Sequence, residues 1–355
     1  MRSGRTYVIA IETGEVVKKF STGVGRNDDP LHITDVGNRR SNALGQATIV
    51  ADSLHTDGDP LADFAYAADL FGHVYRFDLR GSSTKEISTI FSAVGSTTGT
   101  TAGSPQPITS PVAVARHPLG LGMLVLFGTG KYLEIGDGGD RQVQSFYAIW
   151  DTGSDDPVEV PRTALLRQAF AETNIVMTAG EEESAAEVTR GRTSTAELID
   201  WSKQLGWYID FDIEKETGTN LNKGERVVNE PMVQGGRVDF VSLVPENNPC
   251  ANGGYSWINS LDVRNGSRLG LTPFDYNLDG ANGEADLLAT KDGTRVVGTS
   301  VRLTPGGQNT GIYSSPSSFG DGAGRITTVV STSEGDLALI NAADVLGWRV
   351  WQQLR

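Results

Sequence analysis

Strand, turn, strand is the pattern that most constrains this chain. "TYVIAIETGEVVKKF", "DFAYAADLFGHVYRFDLRG", "LGMLVLFGTGKYLEIGD", "QSFYAIWDTG", "KQLGWYIDF" and "RVVNEPMVQGGRVDFVSLV" all carry β-branched or aromatic runs bounded by turn residues. "YSWINSLDVRNGSRL", "TRVVGTSVRLT" and "RITTVVSTSEGDLALINA" continue the pattern towards the C-terminus. The 43 glycines are spread over the 355 residues, as many tight turns require. The expected class is all-β, and hairpins repeated almost end to end favour a β-propeller over a sandwich. Spacing is irregular and holds no period of about 40 residues, so it sets no blade count.

Several runs end in an acid followed by a glycine turn, as in "AIETGEV", "RFDLRGS" and "SLDVRNGSR". Glycine supplies positive φ there, while the acid accepts hydrogen bonds from turn amides. Residues 161–206 depart from this grammar. "TALLRQAFAET", "EEESAAEVT" and "TAELIDWSKQLG" hold more helix formers and less alternation, which predicts a small helical or irregular insertion within a single domain spanning 1–355.

The formal net charge of −14 argues against a nucleic-acid groove, which needs clustered Lys and Arg, and fits a cation or a basic partner better. Cys250 is the only cysteine, so no internal disulfide and no multi-cysteine metal site is available. No apolar run reaches the roughly 18 residues of a membrane-spanning helix. "MRSGRTYVIAIETG" lacks the apolar stretch of a secretion signal and enters a strand almost directly, as expected of a fragment.

Two acidic stretches have the spacing of cation loops. In "HTDGDPLAD", with His55 as position one, Asp57, Asp59 and Asp63 stand at positions three, five and nine, and the Leu61 carbonyl at seven. Alternate positions of a tight loop point inward, and calcium takes about six to eight oxygens. Imidazole is a poor calcium ligand, so Asp52 is an alternative first donor. On these residues alone, an ordinary polar turn is the favoured reading of the stretch. The second stretch, Asp275, Asn277, Asp279, the Ala281 carbonyl and Asp286, matches D-x-[DN]-x-[DN]-G, with aspartate at the last position in place of the usual glutamate.

Catalytic patterns are thin. His32, His55, His73 and His117 form no H-E-x-x-H, there is no G-x-S-x-G elbow, and "FGTGKYLE" lacks phosphate-loop spacing and reads as a turn. Trp207, Trp257, Trp348 and Trp351 suit core packing better than a sugar or quinone surface. A non-enzymatic role is expected; a quinoprotein-like dehydrogenase and a carbohydrate-binding propeller are the competing classes.

At "DFAYAADLFGHVYRFDL", "LFGTGKYL", "GERVVNEPMVQGGRVDFVSLVPENNPCANGGYSW" and "GWRVWQQL" the chain resembles the C-terminal domain of the PilY family of type IV pilus biogenesis factors. The resemblance implies a modified, seven-bladed β-propeller from an exported bacterial protein, placed at the pilus tip or outer-membrane surface. It implies minor pilins and a host or abiotic surface as partners, and roles in pilus extension, adhesion and twitching motility. It also implies Ca²⁺ at a nine-residue loop before the "YAADLFGHVYRFDL" strand, on Asp57, Asp59, the Leu61 carbonyl and Asp63, with His55 departing from the family's first acid. Calcium loading there would oppose retraction by the pilus motor. No Arg-Gly-Asp tripeptide is present.

Overall fold

A computed structural model describes residues 3–51, 62–81, 85–95, 103–179, 187–213, 218–219, 221–246, 253–277, 279, 281–305, 311–320, 325–333 and 337–343. The chain divides into two compact units, residues 1–167 with 199–231, and 168–198 with 232–355. Among the described residues there are strands and short 3-10 turns but no α-helix.

The first unit opens with a hairpin of β1 (Ser3–Ile9) and β2 (Val16–Gly25). An antiparallel meander follows, β3 (Thr48–Val50), β4 (Phe64–Ala68), β5 (His73–Asp78) and β6 (Ile87–Ser92), with neighbours in sequence paired in space. Next come β7 (Ala113–Arg116), β8 (Met123–Gly128), β9 (Ser145–Asp151) and β10 (Leu166–Gln168). The chain then contributes β11 (Phe170–Ala179) and β12 (Glu187–Ser194) to the second unit and returns as β13 (Gly206–Asp210). β13 inserts between β9 and β10, giving the order β10-β13-β9-β8-β7.

β4 and β8 are buried along their whole length, as "FAYAA" and "MLVLFG" predict: runs apolar at successive positions belong to strands covered on both faces. Phe64, Tyr66 and Ala68 on one face of β4 join Phe91, Phe127 and Tyr147, while Ala65 and Ala67 on the other join Phe20, Tyr75 and Phe77. Each fully buried aromatic contributes on the order of 1.5–3 kcal/mol.

In the second unit, β14 (Met232–Gln234), β15 (Arg237–Pro245), β16 (Gly254–Asp262) and β19 (Ser300–Pro305) complete a six-stranded sheet in the order β11-β12-β19-β16-β15-β14. A two-stranded ladder, β17 (Leu288–Ala289) and β18 (Arg295–Val296), and a three-stranded one, β20 (Ser317–Gly320), β21 (Arg325–Ser331) and β22 (Leu337–Ala343), accompany it. Phe274, Tyr276, Leu288 and Val301 form a core against Val241 and Ile258.

The helical reading of residues 161–206 is corrected. β11 and β12 pair in antiparallel fashion, and β12 pairs along Glu187–Arg192 with β19. Pairing with a strand remote in sequence overrides local helix propensity, because ladder bonds and cross-strand contacts exceed the few tenths of a kcal/mol per residue that propensity supplies. The irregular part of that expectation does appear. A 3-10 turn spans Arg162–Ala164, and Asp200 holds a bend by accepting from Ser202 N and Oγ at 3.1 and 2.6 Å.

The acid-then-glycine turns behave as the sequence predicts. Asp78 accepts from Arg80 N at 3.0 Å, Asp151 from Gly153 N at 3.0 Å and Asp262 from Arg264 N at 2.8 Å. In "AIETGEV" the role passes to a neighbour: Thr13 Oγ1 accepts from Glu15 N at 3.2 Å. Gly72, between β4 and β5, has φ +90°, and a Cβ there would lie 2.7 Å from the Gln106 carbonyl oxygen and 2.8 Å from that of Ala93. Only glycine satisfies both demands.

Candidate functional site

The nine-residue loop enters β4 through Asp63. Asp63 N donates to Val50 O at 2.9 Å, and Leu79 N donates to Asp63 O at 2.9 Å, so its backbone ties the end of β3 to the segment after β5. Asp63 is buried. His55, Asp57, Asp59, Leu61 and the alternative Asp52 lie outside the described residues. Beyond the loop, Asp69 holds the β4–β5 turn: it accepts from Phe71 N and His73 N at 3.0 Å each, from the Tyr75 hydroxyl at 2.9 Å and from Asn42 Nδ2 at 3.2 Å. Sequence reasoning passed over this aspartate, although the D-x-x-G turn of "ADLFGH" was the signal for it.

In the second loop Asp275 and Asp286 are buried, while Asn277, Asp279 and Ala281 lie towards the surface. The Asp286 carboxylate accepts three backbone N–H bonds, from Tyr276 at 2.8 Å, Asn277 at 3.2 Å and Gly283 at 2.8 Å. Asp279 N donates to Asp275 Oδ1 at 3.1 Å and to Asn277 Oδ1 at 3.1 Å, and Ala281 N donates to Asp279 Oδ1 at 2.8 Å. Side chains thus brace this loop onto its own amides, and both oxygens of Asp286, at the loop's last position, accept from backbone N–H groups. Among the described residues, no three His, Cys, Asp or Glu side chains are grouped to hold a metal ion.

"FGTGKYLE" is a structural turn. Lys131 pairs with Glu134 and Asp137, and Asp137 also accepts from Leu133 N and Glu134 N at 2.8 Å each. Arg226 closes the same loop from behind, donating to the carbonyls of Lys131 and Asp137 at 2.9 Å and of Asp140 at 2.6 Å. Trp207 and Trp257 are fully buried, as their packing role requires. Trp348 and Trp351 lie outside the described residues.

His117 is buried, stacked on Trp150 with ring centroids 4.0 Å apart and edge-on to Trp201 at 4.2 Å. Its Nδ1 accepts from Leu119 N at 3.2 Å, so the neutral ring carries its proton on Nε2. Burial pushes the imidazole down to about 4, below its ordinary 6.5. Between those values the unfolded chain takes up a proton that the folded chain excludes, so this contribution to stability is whole above pH 6.5 and is lost as pH falls towards 4. His117→Phe keeps the stacking and removes the titration. The expected outcome is a flatter unfolding midpoint between pH 7 and 4.5, with a difference on the order of 2 kcal/mol from the wild type at the acid end. Parallel pH profiles for the two proteins would contradict it.

His73 is the opposite case. Burial works against its imidazolium, but the hydrogen bond to Asp69 at 3.2 Å and that carboxylate's charge outweigh it and raise the pKa.

Residues 7–179 match the family model described as the PilY1 beta-propeller domain. The type IV pilus biogenesis factor PilY1 homolog of Xylella fastidiosa (strain Temecula1 / ATCC 700964) is 30% identical over 267 residues, covering 73% of this chain and 16% of that protein. The type IV pilus biogenesis factor PilY1 of Pseudomonas aeruginosa PAO1 is 28% identical over 323 residues, covering 82% of this chain and 26% of that protein. The chain therefore spans only a minor part of the length of these relatives. Among solved structures, the Pseudomonas aeruginosa PilY1 C-terminal domain superposes with a TM-score of 0.70 at 22% identity, over 95% of this chain and 65% of that one. The β-propeller class expected from the hairpin pattern is the class these matches give.

Proposed function

Because the chain belongs to the PilY1 family, we propose that it is the propeller module of an exported type IV pilus biogenesis factor. It acts without catalysis at the pilus tip or outer-membrane surface, on minor pilins and on the surface to which the pilus attaches. The observation that carries this reading is similarity over 73% and 82% of the chain to two pilus biogenesis factors. The acidic charge and the absence, among the described residues, of any helix long and apolar enough to cross a membrane accord with it.

Regulation by calcium is the finer part of the proposal, and the loop at 55–63 is its seat. Asp57, Asp59, Asp63 and the Leu61 carbonyl are hard oxygen donors at alternate positions, the chemistry calcium takes. A bound cation would relieve the mutual repulsion of these carboxylates. Asp63 passes the loop's state to the sheet, since its backbone is bonded to residues at the ends of both β3 and β5. An ordered loop then presents one surface to pilus components and a released loop another, which is how extension, retraction and twitching would follow calcium. The second loop, with Asp275, Asn277, Asp279, the Ala281 carbonyl and Asp286, is the second candidate seat for a cation.

Isothermal titration tests this directly. The wild-type chain is expected to bind calcium, Asp57→Asn and Asp59→Asn to lose the site at the first loop, and Asp279→Asn to keep that site while reporting on the second loop. A heat of calcium binding unchanged in both first-loop variants would sink the assignment.

A further inference from the structure

Where β9 ends, the first unit carries a pocket of about 220 Å³. Ile90, Val160 and Leu205 line it with apolar surface, and Trp150 adds an aromatic ring. Thr152, Ser154 and Asp156 reach it from every second position of the segment that follows β9. His117 stacks on the Trp150 ring with the planes 10° apart, and the indole N–H donates to Leu121 O at 2.8 Å. One face and the polar edge of that ring are thereby spent within the protein, yet the residue is only half-buried.

The polar rim holds bonding capacity in reserve. Among the described residues the Thr152 hydroxyl makes no hydrogen bond, and the Ser154 hydroxyl accepts from Asp156 N at 3.2 Å but donates to nothing. One Asp156 oxygen takes Lys85 Nζ at 3.0 Å, and the other is left to solvent. No Lys, Arg or His lines the pocket among the described residues. It therefore offers an aromatic wall, two hydroxyl donors and a carboxylate acceptor, with nothing of its own to hold an anion.

We propose that this pocket binds one neutral pyranose ring of a glycan. A pyranose has a face of C–H bonds, whose partial positive charge suits the negative face of an indole, and a rim of hydroxyls that donate and accept. The Asp156 carboxylate accepts from the sugar, and the Thr152 and Ser154 hydroxyls donate to it. Pockets for drug-sized ligands run to about 300–1,000 Å³, so this one has room for a single ring. An apolar side chain from a protein partner would cover the ring of Trp150 but leave the polar rim without partners, which costs binding. Sugar binding goes beyond the role in pilus assembly, and it is assayed on the isolated chain, so its failure leaves that role standing.

Methyl α-glucoside, methyl α-galactoside and methyl α-mannoside are the probes, titrated into the whole chain and followed by saturation-transfer NMR. At least one is expected to bind saturably, with a Kd on the order of 1 mM. Thr152→Ala should weaken that binding about threefold and Asp156→Ala about tenfold, as the loss of a neutral and of a charge-assisted hydrogen bond gives. Both side chains are exposed, so neither variant should move the unfolding midpoint. Trp150→Ala should abolish binding, and Trp150→Phe, which keeps a smaller ring, should retain part of it. N-acetylphenylalaninamide stands in for an apolar side chain of a protein and is expected not to displace the bound glycoside. No saturable binding of any of the three glycosides, or binding indifferent to both Thr152→Ala and Asp156→Ala, overturns the proposal. Displacement by N-acetylphenylalaninamide does so too, and would assign the pocket to a protein partner.

Discussion

Asp151→Ala is expected to cost the first unit about 3–5 kcal/mol, the range for stripping one partner from a buried ion pair. Arg76 and Asp151 are both buried, and Arg76 Nη1 donates to the two carboxylate oxygens at 2.9 and 3.2 Å. Tyr66 adds its hydroxyl to Asp151 at 2.8 Å, so the alanine variant removes a phenol's bond as well as the guanidinium's partner. What remains for Arg76 is the Ser154 carbonyl at 2.6 Å and the face of Phe64 at 4.7 Å, neither of which carries a full negative charge. The loss comes mainly from the charge left behind. A double variant, Arg76→Met with Asp151→Leu, should therefore recover part of the stability lost by the single one. Denaturant unfolding followed by amide exchange in β5 and β9 reads both. Equal loss in single and double variants would mean that the pair's packing, and not its charge, is what matters.

Trp257→Ala should be of comparable size in the second unit, about 3–5 kcal/mol, as for other large buried aromatics. The ring is fully buried in a cluster with Val244 and Tyr255, and it also provides the face on which Arg192 lies. Its removal opens a cavity and takes away the ring that holds a buried cation, two penalties that act together. Trp150→Ala is the comparison, since that ring is only half-buried and its indole N–H donates to an exposed loop carbonyl, Leu121 O, at 2.8 Å. It should cost clearly less. If Trp257 were a ligand platform instead, the alanine variant would keep its unfolding midpoint.

The contrast between these two sites and the turns marks how far the amino-acid sequence could be read. Asp78, Asp151 and Asp262 bond amides two residues away, so their turn role is written in neighbouring letters. The Arg76–Asp151 pair joins residues 75 positions apart, and no local pattern marks it. For the same reason 161–206 misled: the strand that makes β12 a strand, β19, lies beyond residue 299, while the helix formers lie within the segment. At the candidate calcium sites the spacing rule favoured the loop at 275–286, and the family resemblance brought forward the loop at 55–63. The amides bonded to Asp286 and the sheet contacts of Asp63 could not be read from that spacing.

The account as a whole rests on a role in pilus assembly. Its most direct test is the number of surface pili, counted by electron microscopy, on cells in which the coding sequence for these 355 residues has been deleted in frame. The expected result is a collapse in surface pili, restored when the intact protein is supplied from a plasmid. Normal pilus numbers without this propeller would contradict it.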